Sequence, residues 1–391
     1  MENSEPPKTV NVSILIQSIG PFEESNMVYQ IDMAYREYWQ DLSLHSDNIV
    51  KHGKDNYNIM LEPVAIGSTE ATGAYLWRPD ICFPNSEPMR SKTGDMMRDN
   101  VAMQLLPNGN MFLKTRLTLV LKCPVSYVYY PFDKPVCALR VETFGTTSEH
   151  VLLKWKNGND AIEIVPNIQL AQFKLLHHKA IEGFVISTTG NYSALEVRFT
   201  FHRDIMYFIL SVFMPACLIT ILSWINFFIS PSAVPARASL AITSFLSAIT
   251  FYQVAKYDGL PRVSEVKAQD IFLLICLMYN FAALIEFTLV EYFENPFIIS
   301  NKSDAFYADN NGENGKKLIH GPSDHSNDKL RNRYHQKALC VDHYARIFFP
   351  VTFVIVVIVY IVVYSVATKF TDSEFIQCGQ PILNAYGVPI K

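Results

Sequence analysis

The chain has 391 residues, 49% of them hydrophobic and 18% charged, with a formal net charge of −4. That length allows two domains and a sizeable core, and an unremarkable net charge makes nucleic acid a poor guess for a partner. The mean hydropathy of +0.11 averages two unlike parts: residues 1–204 read as a water-soluble domain, whereas most of 205–293 and 343–368 is apolar.

Met1–Lys8 is polar and contains Pro6 and Pro7, unlike the apolar stretch of a secretory leader. A β domain destined for the cell exterior is therefore expected to begin near its mature N-terminus here. Met111–Leu121 follows Asn108-Gly109, a hairpin-type turn signal, and alternates Leu117, Leu119 and Leu121 with Arg116, Thr118 and Val120. Ala194–His202 sets Leu195, Val197, Phe199 and Phe201 against Glu196, Arg198, Thr200 and His202, a period of two with one wet face. Short strands, such turns and no long helical pattern predict an all-β, Ig-like sandwich over 1–204.

Cys123 and Cys137 bracket a short segment of this domain. An oxidising exterior favours a bridge between them, and closing a loop of that length contributes about 3 kcal/mol in chain-entropy terms. Within it Tyr130-Pro131 places an aromatic before proline, which predicts a cis bond. Cys217, Cys276 and Cys340 fall in or beside apolar segments, where a thiol is small filler; Cys82 and Cys378 are left over. The adjacent His177 and His178 point to opposite strand faces, a poor metal pair. Asn11-Val-Ser13 and Asn191-Tyr-Ser193 are N-glycosylation sequons; Asn301-Lys-Ser303 also fits but falls in a segment assigned below to the cytoplasm.

Four stretches suit a bilayer, whose hydrocarbon of about 30 Å takes about 20 apolar residues to cross. Residues 205–229 carry no charge, and 268–293 carries Asp270 at one end with Glu286 and Glu291 near the other. The fourth, 342–368, is uncharged from Ile347 onward. The second, 236–255, has Ser239, Thr243, Ser247 and Thr250, too polar for lipid on all sides. Such a helix lies beside water or inside a bundle, unless its hydroxyls merely bond their own backbone carbonyls. The 294–341 linker holds Lys302, Lys316, Lys317, Lys329, Arg331, Arg333 and Lys337, which places it in the cytoplasm. Counting outward, 1–204 and the tail 369–391 then lie outside the cell. The Asn/Gly/Asp/Ser content around 309–327 predicts a disordered spacer, with partner docking as the other use.

A bridged loop containing Pro131 and Asp133, just ahead of four membrane helices, resembles the Cys-loop pentameric ligand-gated ion channels over nearly the whole chain. Other pieces stand in order: Trp77-Arg-Pro-Asp80, Asn108-Gly-Asn110, Glu142-Thr-Phe-Gly145, Pro215, Pro235-Ala-Arg237 and Leu260-Pro-Arg-Val-Ser264. The chain looks most similar to the glycine/GABA-receptor branch. The resemblance implies a pentamer of identical or homologous subunits among plasma-membrane lipids, postsynaptic or on another cell surface, with a central pore lined by the second helix. It implies a small extracellular agonist bound between neighbouring ligand-binding β-sandwiches, no cofactor and no metal.

On that basis the inward stripe of the second helix is Ser239, Thr243, Leu246, Thr250 and Val254, with Ala236 at its base, while Phe245, Ile249 and Tyr252 turn toward the bundle. A ring of Leu246 would gate by dewetting, unless it is ordinary core. No Asp or Glu lies between Asp204 and Asp258, so an acidic ring for cations is missing. The helix N-terminus favours anions through its free N–H groups and dipole. Arg237 adds positive charge nearby, or is buried in a structural pair, and Pro235-Ala236 resembles the family's anion-channel signature. Chloride is the expected ion. By resemblance Arg203 pairs with Asp133 and Glu24, and the Lys256–Lys267 loop with Leu260-Pro261 meets that assembly and couples it to the pore; a lone Arg meeting lipid phosphate is the alternative.

The matched agonist positions are Phe144 and Tyr192 on one subunit, with Thr143 and Cys82 beside them, and Arg36 and Lys114 on the next. Aromatic faces suit an ammonium and a guanidinium suits a carboxylate, which points to an amino-acid-like agonist or a small amine. Cys82, Ala34 and Ser187 stand where relatives place aromatics, which weakens a quaternary-amine cage; packing and solvated-charge roles remain open for all of these positions. A glycan on Asn191 would crowd Tyr192. Competing readings are a cation-selective member, a subunit that works only in heteromers or answers protons or lipids, and a soluble ligand-binding protein of the same β fold. An enzyme is not expected: no phosphate-binding glycine loop, metal cluster or paired nucleophile is legible.

Overall fold

The computed structural model describes residues 6–41, 59–61, 77–87, 101–106, 109–166, 168, 170–256, 259–261, 264–294 and 324–377, with side chains described throughout except in 59–61, 324–334 and 369–377. Two sheets pack face to face. The first has the order β3 (Ile59–Leu61), β5 (Val101–Leu105), β6 (Asn110–Lys122), β2 (Val28–Gln40), β1 (Lys8–Glu23) and β8 (Val151–Trp155), with β9 (Ile162–Ile164) also on β1. The second runs β10 (Phe173–Ser187), β11 (Gly190–Arg203), β7 (Val136–Thr143) and β4 (Ile81–Cys82).

Alternation explains the packing. Leu195, Val197, Phe199 and Phe201 of β11 are buried in one core with Val10, Val12, Ile14 and Ile16 of β1, and the β11 residues between them face outward. β5 and β6 pair antiparallel as the turn signal predicts, although Asn108 itself lies outside the described residues. Cys123 follows β6 and Cys137 opens β7, so their disulfide staples one sheet to the other across a Cα separation of 5.0 Å. Tyr130-Pro131 is cis, and so is Gly20-Pro21, which the sequence did not flag.

Four helices follow, each long and apolar enough to cross a membrane: α1 (Met206–Phe228), α2 (Val234–Lys256), α3 (Ala268–Glu294) and α4 (Asp324–Gln377). The first three begin and end within two residues of the expected limits. α1 is not uniform: a π turn spans Ile209–Phe213 just before Pro215. Proline lacks an N–H and its ring crowds the carbonyl four residues back, so the ladder widens there. α4 departs further from expectation. It starts at Asp324, so the end of the predicted spacer is helical, and it extends to Gln377 within the predicted tail. From Ser323 to Phe349 there is no Gly or Pro, and Lys329, Leu330, Arg331, Gln336, Lys337 and Ala338 are good helix formers. Residues 295–323, with Asn301, and 378–391, with Cys378, lie outside the described residues.

Aliphatic side chains remain exposed along α1 (Leu210, Leu218, Ile221) and α4 (Val351, Ile358, Val362), the surface a helix offers to lipid rather than water. Replacing Cys123 and Cys137 by Ser is expected to cost about 3 kcal/mol of β-domain stability in equilibrium unfolding, with the α-helical signal of the bundle retained.

Candidate functional site

The 3.6-residue period divides α2 into two faces. Arg237, Ala241, Ser244, Ala248 and Ala255 are buried against the rest of the bundle. Ala236, Ser239, Thr243, Leu246, Thr250 and Val254, the six expected pore positions, are all exposed, Leu246 at 57% and Val254 at 72%. Ile242, Ser247 and Gln253 share that side, so the free arc is wider than the predicted stripe. Thr243 Oγ1 donates to Ser239 O at 2.7 Å and Thr250 Oγ1 to Leu246 O at 3.0 Å. Backbone bonding and an exposed hydroxyl face thus coexist, because each oxygen retains lone pairs for water.

Two expectations at the base of α2 are corrected. Arg237 adds no charge to the exposed face: it is 1% exposed, with Nη2 and Nη1 donating to Asp342 Oδ1 and Oδ2 at 2.7 and 3.1 Å, and Glu286 stands in ion-pair range at 3.6 Å without a hydrogen bond. The structural pair is the correct alternative, since a bidentate carboxylate offsets the charge of a guanidinium that a low-dielectric bundle would otherwise reject, although Nε finds no acceptor among the described residues. Free N–H groups are also scarce there. Pro235 has none, and Ala236 N and Arg237 N both donate to Ala233 O at 3.1 Å.

Where the β domain meets the helices, Arg203 is 1% exposed at the end of β11. Its Nε and Nη2 donate to Asp133 at 2.7 and 3.0 Å, and Nη1 donates to Glu24 Oε1. Burial works against the charged guanidinium, but the two carboxylates outweigh it and hold the group above its ordinary value. The rings of Tyr130 and Phe173 stand 4.6 Å from the guanidinium carbon. The disulfide loop then docks on the helices. Phe132 meets Phe213, Tyr360 and Tyr364, and Tyr127, Tyr130 and Phe208 form a cluster joined by Leu260 from the α2–α3 loop. Leu260 supplies that contact, while the expected Pro261 is half-buried beside it. Glu265 in the same loop accepts hydrogen bonds from Ser126 Oγ at 3.0 Å and Tyr127 N at 3.1 Å. A charged residue in a junction loop is ordinarily solvated, so sequence gave no signal for this contact.

The expected agonist residues divide between the two sheets. On the outer face of the second, Cys82 sits opposite Glu142, and Phe144 is 77% exposed just beyond β7. Tyr192 shares that face, its hydroxyl 2.9 Å from Thr189 Oγ1. Asp80 fixes the loop bearing Phe144: its carboxylate accepts from Gly145 N at 2.7 Å and Thr146 Oγ1 at 2.8 Å, and its carbonyl from Phe144 N. A Cβ at Gly145 would stand 3.1 Å from that carboxylate. The Trp77-Arg-Pro-Asp80 motif was visible, but not this role. Ser148 N donates to Asn191 O at 2.8 Å, bringing the loop to the β10–β11 hairpin.

Thr143 stands apart. It pairs with Ile81 on the inner face, 3% exposed, because successive strand residues alternate sides. Burial, then Glu142 and Asp80, push the Cys82 thiol up to about 11, so filler describes it better than a reactive group.

Arg36 and Lys114 lie directly opposite each other on the outer face of the first sheet, with Arg116 the next cation along β6. Arg36 Nη1 is already 3.1 Å from Glu163. Within one chain, then, the aromatic half and the cationic half belong to different layers. Asn191 is exposed in its hairpin, whereas Asn11 is half-buried on a strand paired along both edges.

Residues 1–205 match the profile described as neurotransmitter-gated ion-channel ligand binding domain, and residues 212–302 that of the neurotransmitter-gated ion-channel transmembrane region. A glutamate-gated chloride channel of Drosophila melanogaster is 32% identical over 295 residues, covering 75% of this chain. The match spans 60% of that relative's length.

Substituting Arg203→Gln strands two carboxylates in a buried junction and is expected to cost about 3–5 kcal/mol. Thermal unfolding checks this, with Arg203→Gln combined with Asp133→Asn recovering part of the loss.

Proposed function

Because the chain belongs to the neurotransmitter-gated ion-channel family, whose members are ligand-gated channels and not enzymes, we propose that it is a subunit of a pentameric, chloride-selective channel opened by an amino-acid-like agonist between subunits. The observation that carries this reading is the free face of α2. Its hydroxyl-bearing, leucine-containing surface is unlike the aliphatic faces of α1 and α4, and it bears no carboxylate. Five such faces around an axis make a water-compatible conduit that Leu246 narrows to an apolar girdle. Anion preference then rests on the α2 dipole and the missing acidic ring, since Arg237 is neutralised by its partners.

The division of the agonist residues supports a site shared by two copies. The outer face bearing Phe144, Tyr192 and Glu142 suits an ammonium group, and a neighbour's Arg36, Lys114 and Arg116 suit a carboxylate. An incoming carboxylate would compete with Glu163 for Arg36. The glutamate-gated relative makes L-glutamate the first ligand to apply. On this reading 1–204 lies outside the cell, 205–293 and 342–368 cross the plasma membrane, 294–341 is cytoplasmic and 369–391 returns outside. Reversal potentials should follow the chloride gradient, and Ala236→Glu should move them toward sodium; wild-type currents that track sodium would overturn anion selectivity.

One observation favours a second reading, gating by protons. Glu37 is 2% exposed in the β core, its Oε2 without a donor among the described residues, and burial raises its carboxyl to about 7 despite Arg78. The folded chain retains this proton up to about 7, whereas the unfolded chain loses it near pH ~4.3. The stabilisation is complete below the unfolded value and is lost as pH rises through the folded one. Glu37→Gln should therefore flatten the fall in melting temperature of the β domain over that window, and acid-evoked current that disappears in the same variant would favour proton gating.

A further inference from the structure

The last carbonyls of an α-helix have no partner within it. At the C-terminal end of α2, side chains from outside take two of them: Gln269 Nε2 donates to Ala255 O at 3.1 Å, and Lys267 Nζ donates to Lys256 O at 3.0 Å. Both donors flank the start of α3, whose own unpaired N–H groups the disulfide loop satisfies. Ala268 N donates to Val128 O at 3.0 Å and Gln269 N to Tyr130 O at 3.1 Å. Gln269 therefore holds the disulfide loop through its main chain and α2 through its side chain. It is 2% exposed, with Oε1 lacking a donor among the described residues. A buried amide is costly unless something fixes it, and the Ala255 carbonyl is what fixes this one.

We infer that Gln269 is a positioning residue that transmits displacement of the disulfide loop to the C-terminal end of α2. The inference deepens the gated-channel reading and rests on it for its functional meaning. Movement of the loop carries the first turn of α3 by two backbone bonds, and Gln269 Nε2 draws the Ala255 carbonyl after it. Lys267, paired with Asp270 at 3.7 Å, joins the same turn of α3 to the Lys256 carbonyl.

Amide hydrogen exchange on the assembled full chain in lipid nanodiscs tests this without an agonist, reading the last turn of α2 and the disulfide loop separately. Gln269→Met retains the shape and removes the donor. It should speed exchange in the last turn of α2 about fivefold, the factor that one ordinary hydrogen bond carries, and leave the disulfide loop unchanged. Arg203→Gln, or Asp133→Asn if the first does not assemble, should speed exchange in that same turn in the wild-type background and add nothing in Gln269→Met. Unchanged exchange in Gln269→Met, or additive effects of the two substitutions, would overturn the inference. In a second arm L-glutamate is applied under voltage clamp. A half-maximal concentration shifted about fivefold, with unchanged binding of radiolabelled L-glutamate, is the expected result. A wild-type chain silent to L-glutamate would count against the agonist assigned above, while the exchange data still decide the role of Gln269.

Discussion

A buried guanidinium cannot be left without counter-charge, and Arg203 is where that constraint organises this molecule. It terminates the last strand, two residues short of the first membrane helix, and draws to itself a carboxylate from the disulfide loop and another from the β1–β2 turn. Three segments distant in sequence are thereby held at one point. Aromatic rings close around them, so water that would weaken the charge pairs is kept out. The disulfide loop, fixed in this way, presents its backbone carbonyls to the start of α3 and its Phe132 ring to α1 and α4.

The base of α2 uses the same physics to the opposite end. There too an arginine is buried, but its partners Asp342 and Glu286 lie on α4 and α3, so the ion pair ties the helix to its own subunit. One consequence is orientation. With Arg237 on the inner side, the 100° step of the helix places Ala236, Ser239, Thr243 and Leu246 on the outer one. Arg237, next to Ala236 at the base of the proposed ion path, thus helps to set the rotation of the helix and adds no charge to its exposed face, and the anion preference proposed above rests on the helix dipole and the missing acids.

The candidate agonist residues of the β domain lie on different sheets. The aromatic and acidic group depends on Asp80, which anchors the loop carrying Phe144, and the cationic group depends on cross-strand pairing of Arg36 with Lys114. Within one chain the two groups lie on different layers, which is the physical reason for proposing that two copies share one site.

The sequence by itself determined what depends on local periodicity and composition. Alternation along 194–202 specified which β11 residues enter the core, apolar length specified the four helices, and hydroxyl content singled out α2. Cysteine spacing indicated the disulfide, and a family resemblance carried the Arg203 partners before any distance was known. Tertiary structure alone decided matters in which a residue's meaning lies with a distant neighbour. Whether Arg237 faced ions or Asp342 depended on a helix more than 100 residues away, with 105 positions separating the pair. That Thr143 points inward, that Asp80 holds a loop, and that α2 ends on Gln269 and Lys267 all follow from register and docking. No period in one sequence encodes these, because hydrogen bonds between segments leave no local pattern.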